Sequence, residues 1–158
     1  MDKAIMAFTM LKKYRDLDPL ITTLDNQITT QAINSHFYDA SFGVDKLANN
    51  IIDMIESKRI LYNLKTIVKQ SVRKLNKLDQ KVFDLFFIQK QKTPTIADTL
   101  KINKMQAYRM VQSMPKKLLP HLEKITYFQE FCKEDYYKIN YIKLAYEHYS
   151  ETEEKLII

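Results

Sequence analysis

The sequence predicts an all-α protein, and two observations support that fold class. The 158 residues include one glycine and four prolines, whereas average usage would give about 7% glycine. The chain therefore has few of the residues that favour the tight turns of a multi-stranded sheet. Apolar residues recur every three to four positions over most of the chain, as in helices that pack on one side. We predict an N-terminal helical hairpin with a long central helix, then a unit of three short helices, then a C-terminal helical extension.

Several classes of site and location are disfavoured by residue usage. The single cysteine, Cys132, excludes an internal disulfide and fits a reducing compartment, so a cytoplasmic location is predicted. No segment resembles a signal peptide or reaches the roughly 18 apolar residues of a membrane span, so no membrane partner is expected. His36, His121 and His148 share no metal-ligand spacing, and no nucleophile motif, catalytic carboxylate pair or phosphate loop is visible. We predict no metal, no cofactor and no enzymatic activity.

Residues 1–77 are predicted to form the N-terminal helical region. Apolar residues recur with helical spacing from Ile5 to Tyr14, and they indicate either two helices or one kinked helix at the start of the chain. Asp18 followed by Pro19 has the residue types of an N-cap and a first helical position. The stretch from Ser35 to Gly43 has no period and contains the only glycine, so it is predicted to be a loop.

A long helix follows this loop. Asp45 is suited to cap it, and its apolar stripe is interrupted by Lys58 and Lys65, where a strict heptad would have apolar residues. A broad, interrupted stripe favours packing against the first helices of the same molecule, whereas a narrow continuous seam would favour a two-stranded coiled coil. We predict the intramolecular hairpin, and dimerisation through this helix remains open.

Positive charge is concentrated in the middle of the chain. Residues 71–125 contain twelve Lys+Arg and four Asp+Glu, net +8, whereas residues 1–70 are net +1 and residues 126–158 are net −3. Such a cluster attracts a polyanion through counterion release. The alternative is that the lysines only form a well-solvated face. The charge pattern therefore indicates nucleic acid only if a motif supports it.

Residues 78–119 divide into three short predicted helices. Thr93 is expected to cap the second helix with Pro94 in its first turn, and Asn103 is expected to cap the third. The residues expected to face inward are Leu78, Val82, Leu85, Phe86, Ile96, Ala97, Leu100, Ala107, Met110 or Val111, Met114 and Leu118. A short turn between two helices, here residues 101–103, is typical of a helix-turn-helix, whose second helix enters the major groove of DNA.

The third helix has a predicted DNA-binding side. We define the base-reading surface as the outward residues of its first half: Lys104, Gln106, Tyr108, Arg109 and Gln112. These side chains are mostly donors suited to phosphates and base edges. Lys116 and Lys117 are expected to follow the DNA backbone, so the predicted partner is double-stranded DNA.

This segment resembles region 4 of sigma-70 factors. The matching residues are Leu78 through Phe86, Thr93, Ile96, Ala97, Leu100, Ile102 and Asn103. Lys101 stands where that family usually has a glycine with positive φ, and Thr95 stands where it usually has a glutamate. Pro115 is expected to end or bend the third helix early.

The order of the parts is similar to that of ArpU/RinA-type phage transcriptional regulators. That resemblance implies a sequence-specific DNA-binding regulator that also contacts RNA polymerase. Two alternatives stay open. One is a divergent alternative sigma factor, although residues 1–77 show no sigma region 2. The other is a protein that binds polymerase or a sigma subunit without specific DNA binding.

Residues 120–158 form the predicted C-terminal extension and carry most of the tyrosines. Tyr137, Tyr141, Leu144, Ala145 and Tyr149 have helical spacing, which favours aromatic rings covering the core with their hydroxyls at its wet rim. The alternative is a surface for polymerase or for a second copy of the chain. Ser150 followed by Glu153 resembles a capping box, although the last eight residues are expected to fray.

Overall fold

The computed structural model describes residues 1–34 and 43–152, and every regular element in those ranges is helical. The eight α-helices are α1 (Lys3–Lys13), α2 (Leu17–Asn34), α3 (Val44–Val72), α4 (Lys77–Phe83), α5 (Thr93–Leu100), α6 (Lys104–Leu122), α7 (Thr126–Glu130) and α8 (Asn140–Thr152). Wide π turns extend α4 over Asp84–Ile88 and α7 over Phe131–Asp135. The all-α prediction is confirmed. The predicted loop before Gly43 lies outside the described residues.

Helices α2 and α3 form the predicted hairpin. The two lysines that interrupt the stripe of α3 are the ones that pair with α2: Lys58 binds Asp25 and Lys65 binds Asp18. Residue numbers rise along one helix as they fall along the other, so the pair is antiparallel. The interruptions therefore mark charged contacts within the molecule.

Three predicted caps are wrong by one or two residues. The helices begin at Leu17, Val44 and Thr93, so Asp18, Asp45 and Thr93 itself lie within the first turn. The N–H groups of a first turn have no partner inside the helix, and its dipole favours acidic side chains. Cap residues and first-turn residues therefore look alike in a sequence.

One hydrophobic core joins all three predicted segments. Helix α1 packs against α3, α6 and α8, and its Met6 is fully buried. The largest fully buried side chains of the same core are Phe83, Phe128 and Phe131. The residue 119 boundary between the second and third segments falls inside α6. None of the helices within the described ranges is long and apolar enough to cross a membrane.

Of the two outcomes predicted at Pro115, an end or a bend of the third helix, the early end is wrong. Helix α6 continues through Pro115 and Pro120 to Leu122. An internal proline removes one backbone hydrogen bond and its ring crowds the preceding turn. Met114, Leu118 and Leu122 are fully buried on the inner side of this half of the helix. Their packing explains why the helix is kept despite the two prolines.

The predicted C-terminal stripe is wrong at two positions. Tyr137 and Leu144 are more than half exposed, and α8 buries Ile142 instead, while Ala145 is buried as predicted. A π turn and the 3-10 turn Tyr136–Lys138 precede α8, and both change the helical phase that a regular repeat assumes.

Tyrosine hydroxyls tie this segment to the N-terminus. Tyr141 donates to the carboxylate of Asp16, while the hydroxyl of Tyr146 accepts from the backbone N–H of Asp2 at 2.9 Å. Burial and the nearby Asp16 carboxylate raise the pKa of Tyr141. Ser150 donates to a carbonyl within α8. Its proposed capping partner, Glu153, lies outside the described residues.

Candidate nucleic-acid interface

Helices α4, α5 and α6 occupy the positions of the three predicted helices. In α4 and its π turn the inward side differs from the prediction, because Phe83 and Phe87 are buried while Leu78, Leu85 and Phe86 are only half-buried. The wide turn adds a residue to one helical turn, which rotates the side chains that follow, Phe87 among them. Leu78 and Phe83 precede the turn, so it does not account for their burial. The periodicity of a regular helix therefore misplaces the aromatic residues of the wide turn.

The turn between α5 and α6 is a Schellman motif. Lys101 has φ 55° and ψ 44°, the left-handed conformation that the family resemblance requires at this position. Its N–H donates to the carbonyl of Asp98 at 3.3 Å, and the N–H of Ile102 donates to the carbonyl of Ala97 at 3.0 Å. These bonds satisfy the last carbonyls of α5 and hold the turn to three residues.

A second lysine with positive φ, Lys90, precedes α5. Lys90 has φ 59°, and the N–H of Gln91 donates to the carbonyl of Leu85 at 2.9 Å. Both turns of this three-helix unit are therefore made without glycine. A left-handed residue with a Cβ carries a conformational cost that glycine would avoid.

Replacing Lys101 with glycine is expected to stabilise the protein by about 1 kcal/mol, because glycine adopts positive φ without that cost. Thermal unfolding should show a midpoint roughly 2–4 °C higher. The matched control is Lys69→Gly at an exposed position in α3, which should lower stability by about 1 kcal/mol. A lower midpoint for Lys101→Gly would mean that the lysine side chain stabilises this turn.

Helix α6 begins and packs as the sequence predicts. Asn103 is its N-cap, and the side-chain oxygen of Asn103 accepts from the N–H of Met105 at 2.8 Å. The predicted inward residues of α5 and α6 that are buried are Ile96, Ala97, Ala107, Met110, Val111, Met114 and Leu118. Small side chains at Ala97 and Ala107 allow the two helices to approach closely.

All five residues of the base-reading surface are exposed on one broad side of α6. Gln106 and Arg109 also line a shallow hollow together with Asn103 and Ser113. Lys116 is exposed one turn further along the helix. Arg109, Lys104 and Lys116 have no acidic partner within the described ranges, so their charges are available to a ligand.

Met105 belongs to the same surface and was missed by the sequence analysis. Its side chain is 57% exposed in the first turn of α6. Met105, Arg109, Gln112 and Lys116 follow a spacing of four, three and four, which places them in one line along the helix. The sequence does contain a signal for this role: Met105 is an apolar residue outside the inward stripe, four positions before Arg109.

Lys117 is bound within the protein, although the sequence predicts that it contacts the DNA backbone. Its amino group donates to both carboxylate oxygens of Asp79, at 2.7 and 2.9 Å. Asp79 is only 2% exposed and also accepts from the side-chain amide of Asn76 at 2.9 Å. Asn76 in turn accepts from the N–H of Asp79, as the cap of α4. The ion pair therefore joins the first helix of the unit to the third.

A second basic hollow lies at the other end of α6. It is lined by Arg73 and Lys74 after α3, by His121 and Lys124 at the end of α6, and by Gln70, Ser71 and Ile125. Lys124 is 20 residues beyond Lys104, about 30 Å at the helical rise. This hollow is therefore separate from the base-reading surface.

The chain matches no protein-family model, no curated protein and no solved structure at a significant level. The resemblance to sigma region 4 thus depends on the local residues alone. Within the described ranges, no three His, Cys, Asp or Glu side chains come together as metal ligands. The exposed side of α6 is the candidate site that its geometry and charge support best.

Proposed function

We propose that this protein is a cytoplasmic, sequence-specific DNA-binding transcriptional regulator that reads double-stranded DNA with α6. The observation that carries the proposal is the three-residue Schellman turn that leads from α5 into a helix with an exposed, cationic first half. A helix-turn-helix uses such a turn to present its second helix to the major groove. The net charge of +8 over residues 71–125 supplies attraction to the phosphates.

The side chains divide by what they are suited to contact. Arg109 and Gln112 lie at the centre of the exposed side, where a helix in the roughly 12 Å wide major groove meets base edges. Arginine suits the two acceptors of guanine, and glutamine suits the donor and acceptor of adenine. Met105 offers an apolar surface to a thymine methyl group. Lys104, Gln106 and Tyr108 flank this centre and are suited to the sugar-phosphate backbone.

Replacing Lys116 with glutamine is expected to weaken all duplexes similarly, because a phosphate contact carries no sequence information. The slope of log Kd against log salt should fall by about one. Fluorescence anisotropy with a preferred and a scrambled duplex, each over a salt series, measures both quantities.

Lys117→Gln is the matched comparison, since it removes the neighbouring charge. Because Lys117 is bonded to Asp79, its loss should lower thermal stability and leave the salt slope close to that of the native chain. An unchanged slope for Lys116→Gln would contradict a backbone role for Lys116. If Lys117→Gln lowered the salt slope by about one, the Lys117 amino group would have to leave Asp79 and bind DNA in the complex.

A second proposal is that the chain contacts RNA polymerase, as a polymerase- or sigma-binding protein or as a divergent sigma factor. The exposed Tyr137 and Leu144 on the C-terminal segment favour it, since aromatic and aliphatic side chains are common anchors of interfaces. A pull-down with purified core polymerase and with holoenzyme tests binding. Promoter-dependent transcription with core polymerase alone would identify a sigma factor. Binding to neither enzyme would count against this proposal.

A further inference from the structure

The hairpin of α2 and α3 extends beyond the core. The last core residue of α2 is Ile21, and the first core residue of α3 is Ile60. We define the arm as residues 22–34 of α2 and 44–59 of α3. No side chain of the arm is buried. The arm is therefore a pair of helices whose side chains are at most half-buried, with Leu24 at its base packed against the core.

Apolar side chains of the arm are exposed despite this isolation. Ile33 is 61% exposed, Ile52 is 60% exposed and Ile55 is 52% exposed. Ile55 also lines a shallow groove with Ile28 and Tyr62, along the flank where α2 meets α3. Scattered apolar residues are common on protein surfaces, and Ile33 lies about 140° around α2 from Ile28. Ile52 and Ile55, three positions apart on one side of α3 beside Ile28, instead resemble the uncovered face of an incomplete helical bundle.

Polar packing within the arm is also incomplete. The side-chain carbonyl oxygen of Gln31 is buried and has no hydrogen-bond partner. An unsatisfied buried acceptor costs about 1–3 kcal/mol.

The charges of the arm permit self-association. It contains four Asp+Glu and three Lys+Arg, so its net charge is −1, in contrast with +8 over residues 71–125. Two arms therefore meet almost without mutual repulsion, and DNA has no electrostatic reason to occupy them. Glu56 and Arg59 stand one turn apart on α3 and are bonded to each other within one chain. In an antiparallel arrangement each could meet the opposite charge of a second copy.

We propose that the arm is a homodimer interface, in which two arms related by a two-fold axis form a four-helix bundle. The 16 residues 44–59 span about 24 Å, and two helices side by side are about 20 Å wide. The footprint is roughly 500 Å² before the relief of the side chains is counted, which approaches the approximately 800 Å² per partner of a standard interface. Two copies also complete the bundle that one arm begins.

The dimer has a consequence for DNA recognition that rests on the proposed function. A two-fold pair of chains presents two base-reading surfaces to one duplex. Helix-turn-helix dimers bind half-sites about one helical turn apart. The expected operator is therefore an inverted repeat. The association itself involves no DNA and is tested without it.

Sedimentation velocity of the full chain, without DNA and from low to high micromolar concentration, is the test. The native chain is expected to approach twice its 18.8 kDa mass. The double variant Ile52→Lys/Ile55→Lys should remain at one mass and keep its thermal midpoint at low concentration, because both side chains are exposed. Ile88→Lys is the matched control, since it adds a charge at a similarly exposed isoleucine outside the arm, and it should dimerise as the native chain does.

Two results would overturn the inference. One is a native chain that stays monomeric at every concentration. That result would overturn the inference whether the arm is exposed to solvent, covered by other residues of the chain or used to bind another protein. The other is a double variant that dimerises like the native chain. If the native chain dimerises but neither it nor the monomeric variant binds any duplex specifically, the arm inference stands and the proposed function fails.

Discussion

Arg109→Ala is expected to weaken binding to the preferred duplex by roughly tenfold to a hundredfold, which corresponds to the about 1–3 kcal/mol of a bidentate arginine–guanine contact. Binding to a scrambled duplex should fall much less, because only one charge is lost from the non-specific attraction. The specificity ratio, measured by anisotropy with both duplexes at one salt concentration, should therefore collapse. The side chain is exposed and has no acidic partner within the described residues, so folding should be unaffected.

Two variants make this result interpretable. Arg109→Lys keeps the charge but not the planar fork of donors, so it should restore non-specific binding while specificity remains low. Arg73→Ala removes one arginine from the second basic hollow and should leave the specificity ratio unchanged. If Arg109→Ala lowered affinity for both duplexes by the same factor, Arg109 would be a backbone contact and the orientation of α6 in the groove would need revision.

Asp79→Ala is expected to have the largest effect on stability, a loss of about 3 kcal/mol. The buried carboxylate accepts from Lys117 and from the Asn76 amide, and hydrogen bonds to a charged group contribute more than neutral ones. For a chain of this length the thermal midpoint should fall by roughly 10 °C. Circular dichroism at 222 nm follows the transition, and differential scanning calorimetry gives its enthalpy.

Variants that remove comparable charges distinguish the Asp79–Lys117 pair from acidic residues on the surface. Asp84→Ala removes an exposed acid next to α4 and should change the midpoint little. Lys117→Met should destabilise as much as Asp79→Ala, because it leaves the buried carboxylate unpaired. The double variant Asp79→Leu/Lys117→Met should recover part of the loss. Additive losses in the double variant would show that the two side chains do not act as a pair.

The three-helix unit of α4, α5 and α6 illustrates how far local patterns reach. Ala97, Asn103 and Ala107 are placed as the sequence predicts, because capping and the 3.6-residue period depend on hydrogen bonds within a few positions. The left-handed conformation of Lys101 also follows from its place in a three-residue turn. Lysine adopts positive φ at both Lys90 and Lys101. Residue preferences do not predict this, since they favour glycine in that conformation.

Other features depend on contacts between distant parts of the chain. Lys117 and Lys116 are adjacent cations in the sequence, and only the proximity of Asp79, 38 residues earlier, makes one of them structural. Helix α6 continues past Pro115 because buried residues beyond it are packed against other helices. After α4 the inward side changes to Phe87, because a π turn over Asp84–Ile88 alters the helical phase.

The sequence by itself determined the all-α class, the three-helix unit and the exposed side of α6. Each of these is encoded in periodicity, capping residues and charge density over short spans, where the causal interactions are local. Tertiary structure decided which lysines are bound, which prolines are tolerated and which apolar residues of α2 and α3 remain uncovered. Those outcomes depend on the burial and electrostatic environment that residues far apart in the chain create for one another.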